Sequence, residues 1–221
     1  MRDLSIAQEY MICTVNEKGA IAGYNQKAVA CLVVSGLLEM QLAKCISIND
    51  KKLNVCAELP EDMAYLKPLY NVINQGKPIK VAKAVESYTV AFTNKKLYEL
   101  EDALMESLKE ASVVEPVKAG VLGNKESYAP KKDIVTGIIE KIRAELLEDG
   151  EISEDIIALT ALMDKTGNLK DYFSKYEQKE LKNKIETIKK SEAGTLAKEM
   201  IEHIEALEMA AIIPTMMLNN I

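Results

Sequence analysis

Ala28-Val29-Ala30-Cys31-Leu32-Val33-Val34-Ser35-Gly36-Leu37-Leu38 carries no charge on any face. A helix that is apolar all round must be sheathed by other elements or by lipid, and this run falls far short of the roughly 20 apolar residues a membrane span needs. It therefore predicts a sheathed core helix. The helix should start just after Asn25-Gln26-Lys27 and continue through Glu39-Met40-Gln41-Leu42, where polar residues return. Glu39 is expected to be paired or wet, because an unpaired buried carboxylate is costly. The other segments read mostly as helices with a single apolar stripe each.

At 221 residues the chain can bury a sizeable core, and no composition shift marks a domain boundary. Aromatic residues make up 5% and tryptophan is absent, so the core must be aliphatic, which suits helices. A formal charge of −6 and a pI near 5.1 argue against a general nucleic-acid binder and against strongly electrostatic membrane binding, leaving room only for a local basic patch. Met1-Arg2-Asp3-Leu4-Ser5 lacks the charged start and apolar stretch of a secretory signal. The expectation is a cytoplasmic protein. Cys13, Cys31, Cys45 and Cys56 form no Cys-x-x-Cys pair, and buried reduced thiols are favoured over disulfides or zinc ligands.

Ser5 and Gln8 are spaced as a capping box before the apolar run Tyr10 to Val15, which ends at Asn16-Glu17-Lys18-Gly19. After the central helix, Ile46-Ser47-Ile48 and Leu53-Asn54-Val55 alternate around Asn49-Asp50-Lys51-Lys52, the pattern of a β-hairpin. A helix followed by a small hairpin raises the alternative of a winged-helix DNA reader. The apolar helix offers no side chain for a base edge, which argues against it. Further on, Leu66, Leu69, Tyr70 and Ile73 form one stripe, with Pro68 as a bend. Ile79, Ala82, Val85, Tyr88 and Phe92 form a second, and Asn94 is placed to cap Lys95 to Ala111. Val113 to Pro130 reads as an extended excursion turning at Val121-Leu122 between Gly120 and Gly123. Asp133, Ser153 and Gln178 then begin or lie in further helices, and the last helix carries Leu196, Met200, Ile204, Leu207 and Ala211.

Little in the chain promises chemistry. His203, with Glu199 one turn before it, reads as a surface pair, and Glu151, Glu154 and Asp155 suit a helix start. The Gly-rich phosphate-binding motifs are missing. No enzyme, cofactor or metal is expected.

The chain resembles the Golgi phosphoprotein-3 family over nearly its whole length. The resemblance rests on Leu4-Ser5-Ile6 with Glu9, the turn at Asn16 to Gly19, and Leu37-Leu38-Glu39-Met40-Gln41-Leu42-Ala43 leading into Ile46-Ser47-Ile48. It continues through Leu104 to Val114, Tyr128-Ala129-Pro130, and Ile156 to Met163 followed by Leu169 and Phe173. It implies one mainly α domain over residues 1–221, an apolar central bundle wrapped by amphipathic helices, with one or two small β-hairpins. It further implies a non-enzymatic peripheral membrane protein that binds phosphatidylinositol 4-phosphate and engages cytosolic tails of membrane proteins.

Carried over residue by residue, the family's headgroup tryptophan falls on or next to Tyr24, and its three arginines fall at Val33, Tyr98 and Glu101. Phosphate held by bidentate Arg contacts cannot be held the same way by Val, Tyr and Glu. Lys95 and Lys96, one turn earlier, are the substitute cations, with Tyr24 completing the candidate headgroup site. The membrane-inserting tip falls on Val121-Leu122. Anionic phospholipid or phosphoinositide, a membrane protein's tail or a second copy of the chain are the expected partners. The alternative is a soluble protein-interaction module that has lost lipid binding.

Overall fold

The computed structural model describes residues 4–21, 25–90, 93–119, 125–148 and 152–190, together with 198–199, 201–202 and 204–205. Helix α1 (Ile6–Thr14) begins at the expected capping box, with the Ser5 side chain accepting from the Gln8 amide and the Gln8 side chain from the Ser5 amide. Helix α2 (Gln26–Leu42) is the central helix, capped by the Asn25 side chain, which accepts from the Ala28 amide. Strands β1 (Ile46–Asn49) and β2 (Lys52–Val55) pair antiparallel across a two-residue turn, Asp50-Lys51, with φ of 48° and 60°. Positive φ at both positions matches the twist of the flanking strands.

A 3₁₀ turn (Glu61–Leu66) then leads into α3 (Lys67–Ile73), with Pro68 in its first turn. Pro68 therefore starts a helix rather than bending one. Strand β3 (Ile79–Lys80) pairs with β2, and α4 (Val81–Thr89) follows it directly. Ile79 thus belongs to the sheet, not to the helix stripe expected from its spacing. Next come α5 (Lys95–Glu110) and the hairpin β4 (Val114–Ala119) and β5 (Lys125–Pro130), paired from Val114↔Pro130 to Ala119↔Lys125. The chain continues with α6 (Lys132–Leu146), α7 (Glu154–Thr166), α8 (Leu169–Tyr172) and α9 (Lys175–Lys190).

Three helices, not one, are enclosed on all sides. Every residue of α1 is buried, α2 is buried almost throughout from Ala28 to Met40, and Ile156 to Met163 of α7 are buried consecutively. These three pack on one another, and α4, α5, α6 and α9 cover them with one apolar stripe each. Several of the polar groups this encloses are paired, although the Thr14 and Thr160 hydroxyls have no hydrogen-bond partner among the described residues. The Tyr10 hydroxyl donates to the Ala28 carbonyl (3.1 Å), Ser35 to Leu32 (2.7 Å) and Gln8 Nε2 to Ser107 Oγ (3.0 Å). Glu39 accepts from the Ala7 amide (3.2 Å) and from the Tyr65 hydroxyl, so one carboxylate ties α2 to α1 and to the 3₁₀ turn. Desolvation nevertheless raises its pKa. At Gly36 a Cβ would lie 2.9 Å from a Leu69 methyl and 3.0 Å from one of Leu66, which explains a helix-weakening residue in the middle of α2.

Other expectations are corrected in detail. Asn94 holds the N-cap position of α5 without a side-chain cap bond. Ser153 likewise does not cap α7; its amide and hydroxyl both donate to Glu145 of α6. Cys13, Cys31 and Cys45 are buried free thiols as expected, whereas Cys56 is exposed. The spacing of Leu169, Tyr172, Phe173 and Tyr176 predicts a short apolar stripe, but Phe173 is buried while Tyr176 is 73% exposed, so the stripe ends a turn early. Ile201 and Ile204 are buried, while Leu196, Met200, His203, Leu207 and Ala211 lie outside the described residues or have undescribed side chains.

Candidate functional site

Helix α5 places two different faces on its two sides. Leu100, Leu104 and Leu108 point into the core, while Leu97, Tyr98, Glu101, Asp102, Met105, Glu106 and Lys109 line a cavity of about 700 Å³. Spacings of three and four put this second set on one surface of the helix. The opposite wall is Met11 and Val15 of α1, the Gly19–Ile21 stretch, and Asn25, Gln26 and Val29 at the start of α2. Tyr88 and Thr89 at the end of α4 and Glu126, Ser127 and Tyr128 of β5 complete it.

The hairpin forms this wall because its base is docked. Ser127 Oγ donates to the Gly19 carbonyl (3.3 Å), and Gly19 itself has φ of 72°. A Cβ at Gly19 would sit 2.3 Å from both Ser127 Oγ and the Tyr128 carbonyl oxygen, so only glycine allows the approach.

The walls carry an uneven charge. Glu101, Asp102, Glu106 and Glu126 face one cation among the described wall residues, Lys109. That ammonium is already engaged, 2.8 Å from Glu106 and 4.4 Å from the centre of the Tyr128 ring. Among the described residues no cation pairs with Glu101. Desolvation, and secondarily the neighbouring Asp102, push its carboxyl up to about 7. Tyr88 is 3% exposed, and its hydroxyl is buried without a hydrogen-bond partner among the described residues. Burial raises the pKa of that phenol, so it stays protonated.

Two of the positions singled out from the resemblance, Tyr98 and Glu101, do meet at this cavity. Val33 does not: it is fully buried in α2. Lys95 projects into solvent, 3.8 Å from Glu99, and neither it nor Lys96 forms part of the wall. Tyr24, Val121 and Leu122 lie outside the described residues. Glu106, Glu126 and Tyr88 are the site residues that sequence reasoning missed. Tyr88 read as an ordinary member of an inner stripe, and Glu106 and Glu126 drew no reading from the sequence; no local pattern signals that they converge.

Among the described residues no group of three or more His, Cys, Asp or Glu is placed to hold a metal ion, and no helix is long and apolar enough to cross a membrane. The sequence model of the family described as Golgi phosphoprotein 3 (GPP34) matches residues 6–206. No individual curated protein matches the chain.

Proposed function

Since the chain belongs to the Golgi phosphoprotein 3 family, we propose that it is a non-enzymatic protein that attaches reversibly to the cytosolic face of a membrane, with the β4–β5 hairpin entering the lipid. The observation that supports this reading is the hairpin's construction. Six residue pairs run from Val114↔Pro130 to Ala119↔Lys125, the base is docked on Gly19, and Val121-Leu122 is the apolar pair in the intervening stretch. A six-pair stem docked at its base, joined through a stretch whose sequence carries two apolar residues, is suited to insertion.

Burying one Val and one Leu contributes on the order of 3 to 5 kcal/mol before ordering costs. That is a weak anchor, comparable with the roughly 10⁴ M⁻¹ of a single acyl chain, and so implies reversible attachment. Exposed Lys118 on the stem could add about 1 kcal/mol near an anionic surface. Phosphoinositide recognition is not placed in the α5 cavity in this proposal, because among the described wall residues carboxylates outnumber cations and there is no arginine to grip a phosphate.

The test is flotation with neutral, anionic and phosphatidylinositol 4-phosphate liposomes, at low and physiological salt. Recovery with neutral and anionic vesicles is expected, and Val121→Asp with Leu122→Asp should abolish it. Unchanged recovery of the double variant would remove the hairpin from the reading. Failure of the parent protein to float with any vesicle would replace it with the soluble protein-interaction module.

A further inference from the structure

We propose that Cys45 and Cys56 form a redox-sensitive thiol pair, which a low-molecular-weight disulfide oxidises to a bond within the chain. The register of the first hairpin carries this. Strands β1 and β2 pair from Asn49↔Lys52 to Ile46↔Val55, and one further step sets Cys45 opposite Cys56. The backbone keeps that register, since the Cys56 amide donates to the Cys45 carbonyl at 2.8 Å. Hydrogen-bonded antiparallel partners lie about 5.5 Å apart at Cα, inside the roughly 4.4 to 6.8 Å that a disulfide spans. Directly opposed side chains also leave the same face of the ladder. The pair is not clamped: the Cys45 amide donates to the Met40 carbonyl of α2 rather than back to Cys56, and the Ala57 amide shares the Cys45 carbonyl at 3.2 Å. Two residues thus oppose one, as in a β-bulge, and the strand ends can adjust to bring the sulfurs together.

The two thiols differ in a way the chemistry uses. Cys56 is exposed, whereas Cys45 is buried, and burial with the Asp62 carboxylate raises the Cys45 pKa. Cys56 is therefore the attacking thiol and Cys45 the resolving one. Each makes only a weak local contact, Cys45 Sγ to the Ala43 carbonyl at 3.7 Å and Cys56 Sγ to the Asn54 carbonyl at 3.6 Å, so little is lost when they turn toward each other. Cys56 gives its proton to solvent and attacks one sulfur of the small disulfide, whose S–S bond breaks and releases one thiolate. Cys45 then loses its proton and attacks the Cys56 sulfur, forming the Cys45–Cys56 bond and expelling the second thiolate. The chain gives up two electrons and two protons, and the small disulfide takes both to become two thiols. A bond at an exposed strand end is of the labile kind, so excess small thiol reverses it. Closed, it fastens the segment after β2 to the end of α2, where the Ala57 carbonyl already accepts from the Tyr70 hydroxyl of α3 at 3.1 Å.

The test exposes the full reduced chain to oxidised glutathione, quenches with acid, alkylates the remaining thiols after denaturation and reads intact and peptide masses. Two of the four cysteines should lose their alkylation together, the linked peptide should join Cys45 to Cys56, and no glutathione should stay attached. Cys13 and Cys31, buried in the bundle, should remain reduced. Dithiothreitol should restore all four thiols. Cys45→Ala should instead hold glutathione on Cys56 as a lasting mixed disulfide, and Cys56→Ser should leave Cys45 reduced and take up none. Circular dichroism checks that both variants are folded. A lasting glutathione adduct on Cys56 in the parent chain would show that Cys45 does not reach it and would overturn the proposal. A bond between two copies at Cys56, a bond to Cys13 or Cys31, or four thiols left free in the parent would each overturn it as well.

Discussion

Glu101 should make this protein less stable as the solution becomes more alkaline, and replacing it with glutamine should remove that dependence. Its carboxyl has an ordinary value of 4.5 and is pushed up to about 7 in the folded chain. The folded state therefore holds a proton that the unfolded state releases earlier. Stability from this group is fully present below about pH 4.5, declines as the pH rises through about 7, and is flat above that. Each pKa unit corresponds to about 1.4 kcal/mol, so full ionisation costs on the order of 2 to 3 kcal/mol for a half-buried group.

The groups facing it reinforce the direction. Asp102 and Glu106 on α5 and Glu126 on β5 are acidic, Tyr88 on α4 is neutral, and Lys109 is committed to Glu106. Urea unfolding of the parent and Glu101→Gln, measured from pH 4.5 to 8.5, isolates the effect, because every other titrating group is common to both. The variant should match the parent near pH 4.5 and exceed it by about 2 to 3 kcal/mol at pH 8. For a chain of this size that is roughly 5 to 10 °C in Tm. Parallel pH profiles for the two proteins would refute a desolvated Glu101.

Glu39→Ala removes the acceptor of both the Ala7 amide and the Tyr65 hydroxyl and should cost about 2 to 4 kcal/mol in chemical unfolding. Glu39→Gln keeps one acceptor oxygen and should cost less than half as much. Gly19→Ala puts a Cβ against the Tyr128 carbonyl and forces alanine to a φ of 72°, so the hairpin base should release while the buried bundle stays intact. Hydrogen exchange should speed up at β5 and stay unchanged in α2; unaltered exchange at β5 would show that the docking does not depend on that glycine.

The central helix was legible because an apolar run without charge admits few environments. Its two companions were not. In α1, Gln8 and Glu9 interrupt the apolar sequence, and only the arrival of Ser107 lets Gln8 be buried. In α7, Thr160 and Ala161 dilute the run, so it reads as one stripe. Strand β3 is two residues long and exists only by pairing with β2, a tertiary event that no periodicity announces. The capping box at Ser5 was readable because both partners are local, whereas Ser153 turns away to Glu145, eight residues earlier. The cavity was half legible. Tyr98 and Glu101 were singled out from the resemblance, but Glu126 and Tyr88 reach the same space from other elements.

The enclosure of α1 and α2 by α7 also sets the order in which this protein can be made. Thr14 and Glu154 are separated by roughly 140 residues, and the Tyr172 hydroxyl reaches back to the Cys13 carbonyl at 3.0 Å. Leu42, the end of α2, lies roughly 110 residues before Glu154, so at about 5 to 20 residues per second the ribosome leaves the two N-terminal apolar helices without their third partner for roughly 6 to 22 s. During that interval the nascent chain carries an unsealed aliphatic surface that later becomes the centre of the molecule. Its birth, rather than its finished state, is when it most needs a chaperone.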